Sequence, residues 1–550
     1  MKKIKILHSG ETTGALSGFG KYGREVLTRL AQNDRLEIAE LAGAACIEDQ
    51  NNSHVKWKWY AGAVRPNHPE WKAFESNEAN KFGAWRFERI CLDFQPDHVF
   101  TIRDPWNDIF VAQSPFRPFY HFTWMPTVDS APQQHQWIEM FRDCDSIFTY
   151  SDWAIPVLQK QSGNSIKPIC SPYPGVDLKV YKPLNKLELR RKMGLPEDAY
   201  IIGTTMRNQP RKLFAELFKA FSIYLEKYGN TDIGKKTYLY LHTSYPDQGW
   251  DLPELLNEYG VANRVYFSYI CHATKKPLCF KFSGPATYSP YTQQPSAVVP
   301  NTGIGYTEAQ LAEIYNLFDL YVQYANCEGL GMGQPEAAAC GVVVASVDYS
   351  AMADIVEKTG GIALKPAAIP RDFHLKADRA APDNEFAADA FYKFFSLDKG
   401  YRERKSKLTR QVAEKYFDWD RTAKIWSDHF ENTKLTGLQG RWDSPIQVQD
   451  FNTPTPPENL SNLQFVQWCA TYVAKKPELA SKHVGVDLLS RLNRGPVVPP
   501  HMGSLNREQV YNVFRTFGDN KIYAERVRCG IDRLGMQDFV EYAHYMGSRT

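Results

Sequence analysis

Tyr324-Ala325-Asn326-Cys327-Glu328-Gly329-Leu330-Gly331-Met332-Gly333-Gln334-Pro335-Glu336-Ala337-Ala338-Ala339-Cys340-Gly341 reads as a strand entering a glycine-rich turn and leaving as a helix. Proline suits the first position of a helix, where its missing N–H would have no partner in any case, so the helix is expected to begin near Pro335. Glycines at 329, 331 and 333 let the backbone approach a ligand closely, and free N–H groups at a helix start favour a phosphate. Glu328 and Glu336 flank the turn as two hydrogen-bond acceptors suited to sugar and ribose hydroxyls. Each feature has a plain structural alternative: Glu336 would complement a helix dipole, a gain of about 0.3–1 kcal/mol, and the glycines would serve a tight turn.

A second cluster lies upstream. The strand expected at 200–204 runs into Met206-Arg207-Asn208-Gln209-Pro210-Arg211-Lys212. Open α/β sheets bind ligands at the carboxyl ends of their strands, which places Arg207 and Lys212 to neutralise a diphosphate, with Arg211 a third cation. Apolar strand patterns alternate with helical ones over the first 430 or so residues, the pattern of an α/β fold with parallel strands. Strands are expected at 4–8, 37–43, 98–102, 119–125 and 146–150, then at 200–204, 238–242, 265–269, 320–323 and 342–346. Between the strands at 265–269 and 320–323 lies a Ser-, Pro-, Thr- and Tyr-rich insert, 271–305, of a length usually functional or disordered. The expected organisation is a Rossmann-like domain over 1–176, a second over 177–416, a return helix over 417–438, a proline-rich linker over 439–458 and a helical domain over 459–550.

Composition sets outer limits. The 550 residues, 43% hydrophobic and 23% charged, are ordinary for a soluble globular chain too long for one core. A formal charge of +3 neither requires nor excludes a polyanionic partner. No apolar run nears the roughly 20 residues needed to span a bilayer, and the opening Met1-Lys2-Lys3-Ile4-Lys5-Ile6 reads as a strand, so a cytoplasmic location is expected. The ten cysteines form no CxxC pair, and Cys271, His272 and Cys279 have poor zinc spacing. No metal is assigned.

On these motifs the chain resembles the GT-B glycosyltransferases often grouped as family 4, over nearly all of residues 1–435. Glu328 and Glu336 match the family's paired glutamates, and Arg207 with Lys212 matches its basic pair. Gly175-Val176-Asp177 with Tyr181-Lys182-Pro183 resembles the segment before the second domain, and Phe417-Asp418-Trp419 the element that crosses back to the first. The resemblance implies two Rossmann-like domains facing across a cleft, a nucleoside diphosphate sugar as donor with UDP as the expected carrier, no separate cofactor, no metal requirement, and retention at the anomeric carbon. It assigns Glu336 to the ribose, Glu328 and the backbone of Gly329, Leu330, Gly331 and Met332 to the sugar, and Arg207 and Lys212 to the leaving diphosphate. If viral, the chain works in the host cytoplasm.

Ser17-Gly18-Phe19-Gly20-Lys21-Tyr22-Gly23 contains GxGxxG, which alone would fit a nicotinamide enzyme. Residues 9–17 separate it from the expected first strand, however, and no acidic residue stands clearly at the end of the second to hold a ribose. The resemblance instead makes Gly18 and Gly20 part of the donor site. Two departures stand out. Family members often carry a histidine after the strand at 119–125, where this chain has Trp124-Met125-Pro126-Thr127-Val128-Asp129-Ser130, so Asp129 is the tentative acceptor residue, with turn capping as its alternative. Gly333 replaces a common proline, which would loosen the turn. Asp143-Cys144-Asp145 is a DxD triplet read as a helix end. For the acceptor, 80–86, 241–250 and 314–328 resemble glycosyltransferases of large tailed bacteriophages, which modify hydroxymethylated pyrimidines in DNA. The tail adds about four more Lys and Arg than Asp and Glu, Lys475, Lys476 and Arg507 among them, interleaved with Tyr472, Tyr511 and Phe514. A glycan or lipid acceptor, and a donor- or DNA-binding protein without turnover, are the alternatives.

Overall fold

The computed structural model describes residues 3–49, 52–68, 70–288, 295–301, 303–435, 438, 440, 442, 456–494 and 504–518. Six parallel strands build the first sheet: β1 (Ile4–Glu11), β2 (Leu36–Gly43), β3 (Lys58–Ala61), β4 (His98–Thr101), β5 (His121–Trp124) and β6 (Ser146–Ile147), in the order 3-2-1-4-5-6. The second sheet runs through β7 (Tyr200–Thr205), β8 (Thr237–His242), β9 (Val265–Cys271), β10 (Pro277–Lys281), β11 (Ala286–Tyr288), β12 (Pro295–Val298), β13 (Leu320–Gln323), β14 (Val343–Val347) and β15 (Ile362–Leu364). Its parallel part is ordered β9-β8-β7-β13-β14-β15. Both orders reverse direction beside the first strand of their series, the doubly wound arrangement that opens a crevice at the strands' carboxyl ends.

The register follows from burial. In β1, Ile6 pairs Ile38 and Leu7 pairs Ala39, all buried, because a parallel strand covered on both faces carries no polar alternation. Apolar clusters fill the two faces of each sheet. The short strands β3 and β15 were not expected. The 271–305 insert is not merely loop: β10 and β12 add antiparallel partners to β9.

Helix Trp419–Asn432 returns to the first sheet, its Asp418 side chain capping the Asp420 N–H. Trp419, Trp426 and Phe430 pack with Ile6, Tyr22, Val26 and Phe100. Trp426 Nε1 donates to Tyr22 Oη (2.8 Å), which donates to the Pro172 carbonyl (2.9 Å). A β-carbon on Gly175 would lie 2.3 Å from the Trp419 nitrogen, so the crossing requires glycine there. From the stretch expected as linker, Trp442 Nε1 bonds the Pro96 carbonyl (3.0 Å) and the ring packs on Phe116 and Phe119. The tail folds helices Asn462–Trp468, His483–Asn493 and Arg507–Gly518 around Phe465, Val466, Leu488, Val510 and Phe514. Lys521 to Thr550, including Tyr523, Arg526 and Arg528, lie outside the described residues.

Candidate functional site

The carboxyl edges of the two sheets meet. A β-carbon on Gly329 would stand 2.7 Å from Thr127 Cγ2, so the glycine turn after β13 presses on the loop after β5. The Glu328 carboxylate is 4% exposed. It accepts from Gln323 Nε2 (2.7 Å), pairs with the Lys212 ammonium, and has Arg211 Nε 3.9 Å away. Its backbone N–H donates to Ser350 Oγ (2.9 Å). An isolated bridge between Lys212 and Ala325 ties the basic turn to the strand end and sets this geometry. Burial, then the Arg211 charge, push the Lys212 ammonium well below its ordinary pKa, and Cys327 and Asp129 oppose them only in part.

Glu336, 7% exposed, accepts from Tyr315 Oη (2.7 Å) and lies 3.5 Å from Lys21 Nζ, which also pairs with Glu308 (2.7 Å). Lys21 sits on helix Gly18–Leu30 of the first domain and Glu336 on helix Gly333–Ala339 of the second, so this pair spans the cleft. Burial raises the Glu336 carboxyl against the pull of Lys21 and Tyr315. Burial would lower the Lys21 ammonium, but Glu336 and Glu308 outweigh it and raise it.

Arg207 stands at the end of β7, but its guanidinium grips Asp247 through two bonds (2.9 and 3.0 Å) and not Glu328. The cation that the structure brings beside Lys212 is Arg211. The short helix begins at Gly333, two residues before the expected start, because Gly331 takes φ +82° and its carbonyl accepts from the Gln334 N–H. Pro335 therefore sits in the first turn but not at its head. A helix of seven residues offers a weak dipole, and the cationic side chains at the Glu328 carboxylate are Lys212 and Arg211. Gly333 does not loosen the turn: a β-carbon there would meet Tyr321 Oη at 2.2 Å and Thr205 Oγ1 at 2.7 Å. Leu330 is buried in the second domain's core and Met332 packs at its edge.

In the amino-terminal loop, Ser17 Oγ accepts from the Gly20 N–H (3.0 Å), and a β-carbon on Gly20 would lie 2.7 Å from the Ala15 carbonyl oxygen. Gly18 faces open space. Glu40 of β2 is fully buried and accepts from the Thr13 N–H (2.8 Å), Thr13 Oγ1 (2.9 Å) and Trp57 Nε1 (2.7 Å). Its work is anchoring the glycine loop, which leaves the dinucleotide fingerprint without a ribose-binding acid. Asp129 accepts from Ser130 Oγ (2.8 Å), and across the cleft it meets Cys327 Sγ (3.3 Å) and Arg379 Nη2 (3.4 Å). Its role is more than a turn cap. Asp145 of the DxD triplet is consumed by Arg117 (2.7 Å) and the Phe122 N–H (2.7 Å). Among the described residues no three His, Cys, Asp or Glu side chains gather as a metal site, and no helix is long and apolar enough to cross a membrane.

No protein-family model matches the sequence, and no curated protein matches it significantly. Solved structures do. Sucrose-phosphate synthase from Thermosynechococcus elongatus superposes with a TM-score of 0.56 at 16% identity, over 78% of this chain and 98% of that one. HepE from Anabaena, solved in complex with UDP and glucose, gives 0.52 at 13%, over 78% and 100%. A glycosyltransferase from Rickettsia africae gives 0.52 at 13%, over 78% and 98%.

The fold is GT-B.

Three site residues carried no sequence signal strong enough to single them out. Lys21 lies within the glycine motif, where attention falls on the glycines. Asp104 follows β4, and Arg379 sits on an excursion between β15 and helix Asn384–Ser396, far from any motif. Only the GT-B closure brings them to the cleft.

Proposed function

We propose that the chain transfers a sugar from a nucleoside diphosphate sugar to a hydroxyl acceptor with retention at the anomeric carbon, without a metal and without a separate cofactor. The observation carrying this reading is the pair of buried acid–base contacts at one cleft, Glu328 with Lys212 and Glu336 with Lys21. Carboxylates that only accept hydrogen bonds suit ribose and sugar hydroxyls, and cations beside them suit the diphosphate between. The Anabaena HepE structures hold UDP or UDP-glucose, which supports UDP as the carrier.

In this reading Glu336 takes the ribose hydroxyls, displacing Lys21 toward the phosphates. Glu328 and the Gly329–Met332 backbone hold the sugar. Lys212, with Arg211 and Arg207, stabilises charge growing on the diphosphate, an electrostatic contribution in a cleft closed to water. The acceptor oxygen bonds the anomeric carbon on the face the diphosphate leaves. The breaking bond's electron pair departs with the nucleoside diphosphate, and the acceptor proton passes to a phosphate oxygen. Releasing Arg207 from Asp247 would accompany donor binding.

For a DNA acceptor, the support drawn from the tail is reduced. Arg507 is spent on Asn462 Oδ1 (3.0 Å) and the Leu460 carbonyl, Arg491 on Asp487 (3.1 Å), and Phe514 lies in the tail's own core. The test is anomeric proton NMR of product formed from UDP-glucose. An α-linked product supports the reading, and a β-linked product refutes retention.

A further inference from the structure

Beside the donor cleft lies a second concavity of about 60 Å³. Its first-domain wall carries Asp104, Trp106, Thr127, Asp129, Gln133 and Trp137, and its other wall is the second-domain excursion that bears Arg379. That excursion leaves as β16 (Pro366–Ala368), returns as β17 (Ala381–Pro382), and crosses to the first domain. The Asp378 N–H bonds the Ala131 carbonyl (2.9 Å), and Tyr349 Oη accepts from the Ala131 N–H (3.1 Å). The pocket shares Thr127 with the contact to Gly329, and Asp129 with the contact to Cys327, the residue before Glu328. A ligand here touches whatever the glycine turn holds.

The lining has a definite chemistry. Trp106 is 51% exposed and its ring lies 5.6 Å from that of Trp137, inclined at 43°. A half-exposed tryptophan face suits a ring that is apolar on one side. Asp104 and Asp129 offer carboxylate oxygens to hydroxyl donors. Gln133, 4% exposed, spends its amide nitrogen on the Ser130 carbonyl (2.7 Å) and leaves Oε1 without a partner. Burial, with the charge of Asp129 contributing, raises the Asp104 carboxyl to about 6.

We infer that this pocket belongs to the acceptor subsite for a neutral saccharide, whose ring lies on the exposed face of Trp106 at the mouth while its hydroxyls reach in to Asp104 and Asp129. The inference rests on the glycosyltransferase reading above. A nucleic acid fits the pocket less well. Among the described residues its only lining cation is Arg379, which Asp129 already pairs, whereas each phosphate brought to a protein calls for Lys or Arg. Two rings inclined at 43° also make no parallel slot for a flipped base. The saccharide hydroxyl that attacks is the one held nearest Thr127. Its oxygen forms the new bond to the anomeric carbon, and its proton leaves with the diphosphate as described.

The test uses the full chain with UDP-glucose as donor. The acceptors are glucose, galactose, mannose, N-acetylglucosamine and their methyl glycosides, against single- and double-stranded DNA carrying 5-hydroxymethylcytosine. The expected result is transfer to at least one saccharide. Trp106→Ala should raise that acceptor's KM at least tenfold while donor Kd, measured by calorimetry, changes less than twofold; Trp106→Phe should recover most of the loss. Asp104→Asn should lower kcat/KM for the acceptor at least tenfold. Donor turnover with transfer only to DNA, with no transfer to any saccharide, or with a saccharide KM indifferent to Trp106→Ala overturns the inference and spares the donor reading. Failure to bind any nucleotide sugar overturns both.

Discussion

Glu336 holds Tyr315 on one carboxylate oxygen and Lys21 near the other, and only the Lys21 contact comes from the opposite domain. Burial raises this carboxyl and Lys21 lowers it, so removing the ammonium shifts the balance upward. Lys21→Ala is therefore expected to weaken donor binding about tenfold, the scale of a lost charge-assisted contact. The loss should also grow as the pH falls, because a protonated Glu336 gives up an acceptor. The fall in affinity should begin at higher pH in the variant than in the parent, and calorimetric donor Kd between pH 5 and 8 checks it; parallel profiles would contradict the role. Glu328 and Glu336 stood out in the sequence because they flank one glycine turn, and Lys212 because it belongs to a basic cluster that follows a strand end. Arg207 stood out as a member of the same basic cluster, yet its guanidinium turns to Asp247, 40 residues on, which no local pattern records. Lys21, Asp104 and Arg379 act only through contacts made when the chain folds on itself.

The turn between β13 and helix Gly333–Ala339 depends on two glycines for different reasons. Gly331 takes a left-handed φ of +82°, and Gly333 has no room for a side chain against Tyr321 and Thr205. Gly333→Ala should thus destabilise the protein by about 1–3 kcal/mol, as overpacking does, and displace the turn that carries Glu328. A urea melt gives the first quantity and donor KM the second; an unchanged midpoint would show that Tyr321 moves aside freely. Element order was legible because buried parallel strands form short apolar runs separated by amphipathic helices. The strands β3 and β15 were missed because they have four and three residues, too few to show a period. The insert at 271–305 was misjudged for another reason: β10 and β12 gain their strand identity from pairing with β9, a tertiary effect that propensity does not capture.

As a whole the molecule is two doubly wound sheets clasped at their carboxyl edges and tied by the return helix, with several histidines buried or half-buried. Burial lowers His8 and His98 to about 3, and His242 and His429 to about 4, from an ordinary 6.5. As pH falls below about 6.5 the unfolded chain takes up these protons before the folded one does, so the stability is complete above that value and drains toward about pH 3–4. Scanning calorimetry should show Tm falling steadily from pH 7 to 5, and a flat Tm there would mean that these rings are protonated in the folded state. The central claim is that the cleft holds a nucleoside diphosphate sugar through Glu336 and Lys212, and calorimetric titration of UDP-glucose and related nucleotide sugars into the parent, Glu336→Ala and Lys212→Ala proteins tests it most directly. Saturable binding to the parent, weakened about tenfold or more in both variants, is the predicted result. No binding of any nucleotide sugar, or equal affinity in all three proteins, would contradict it.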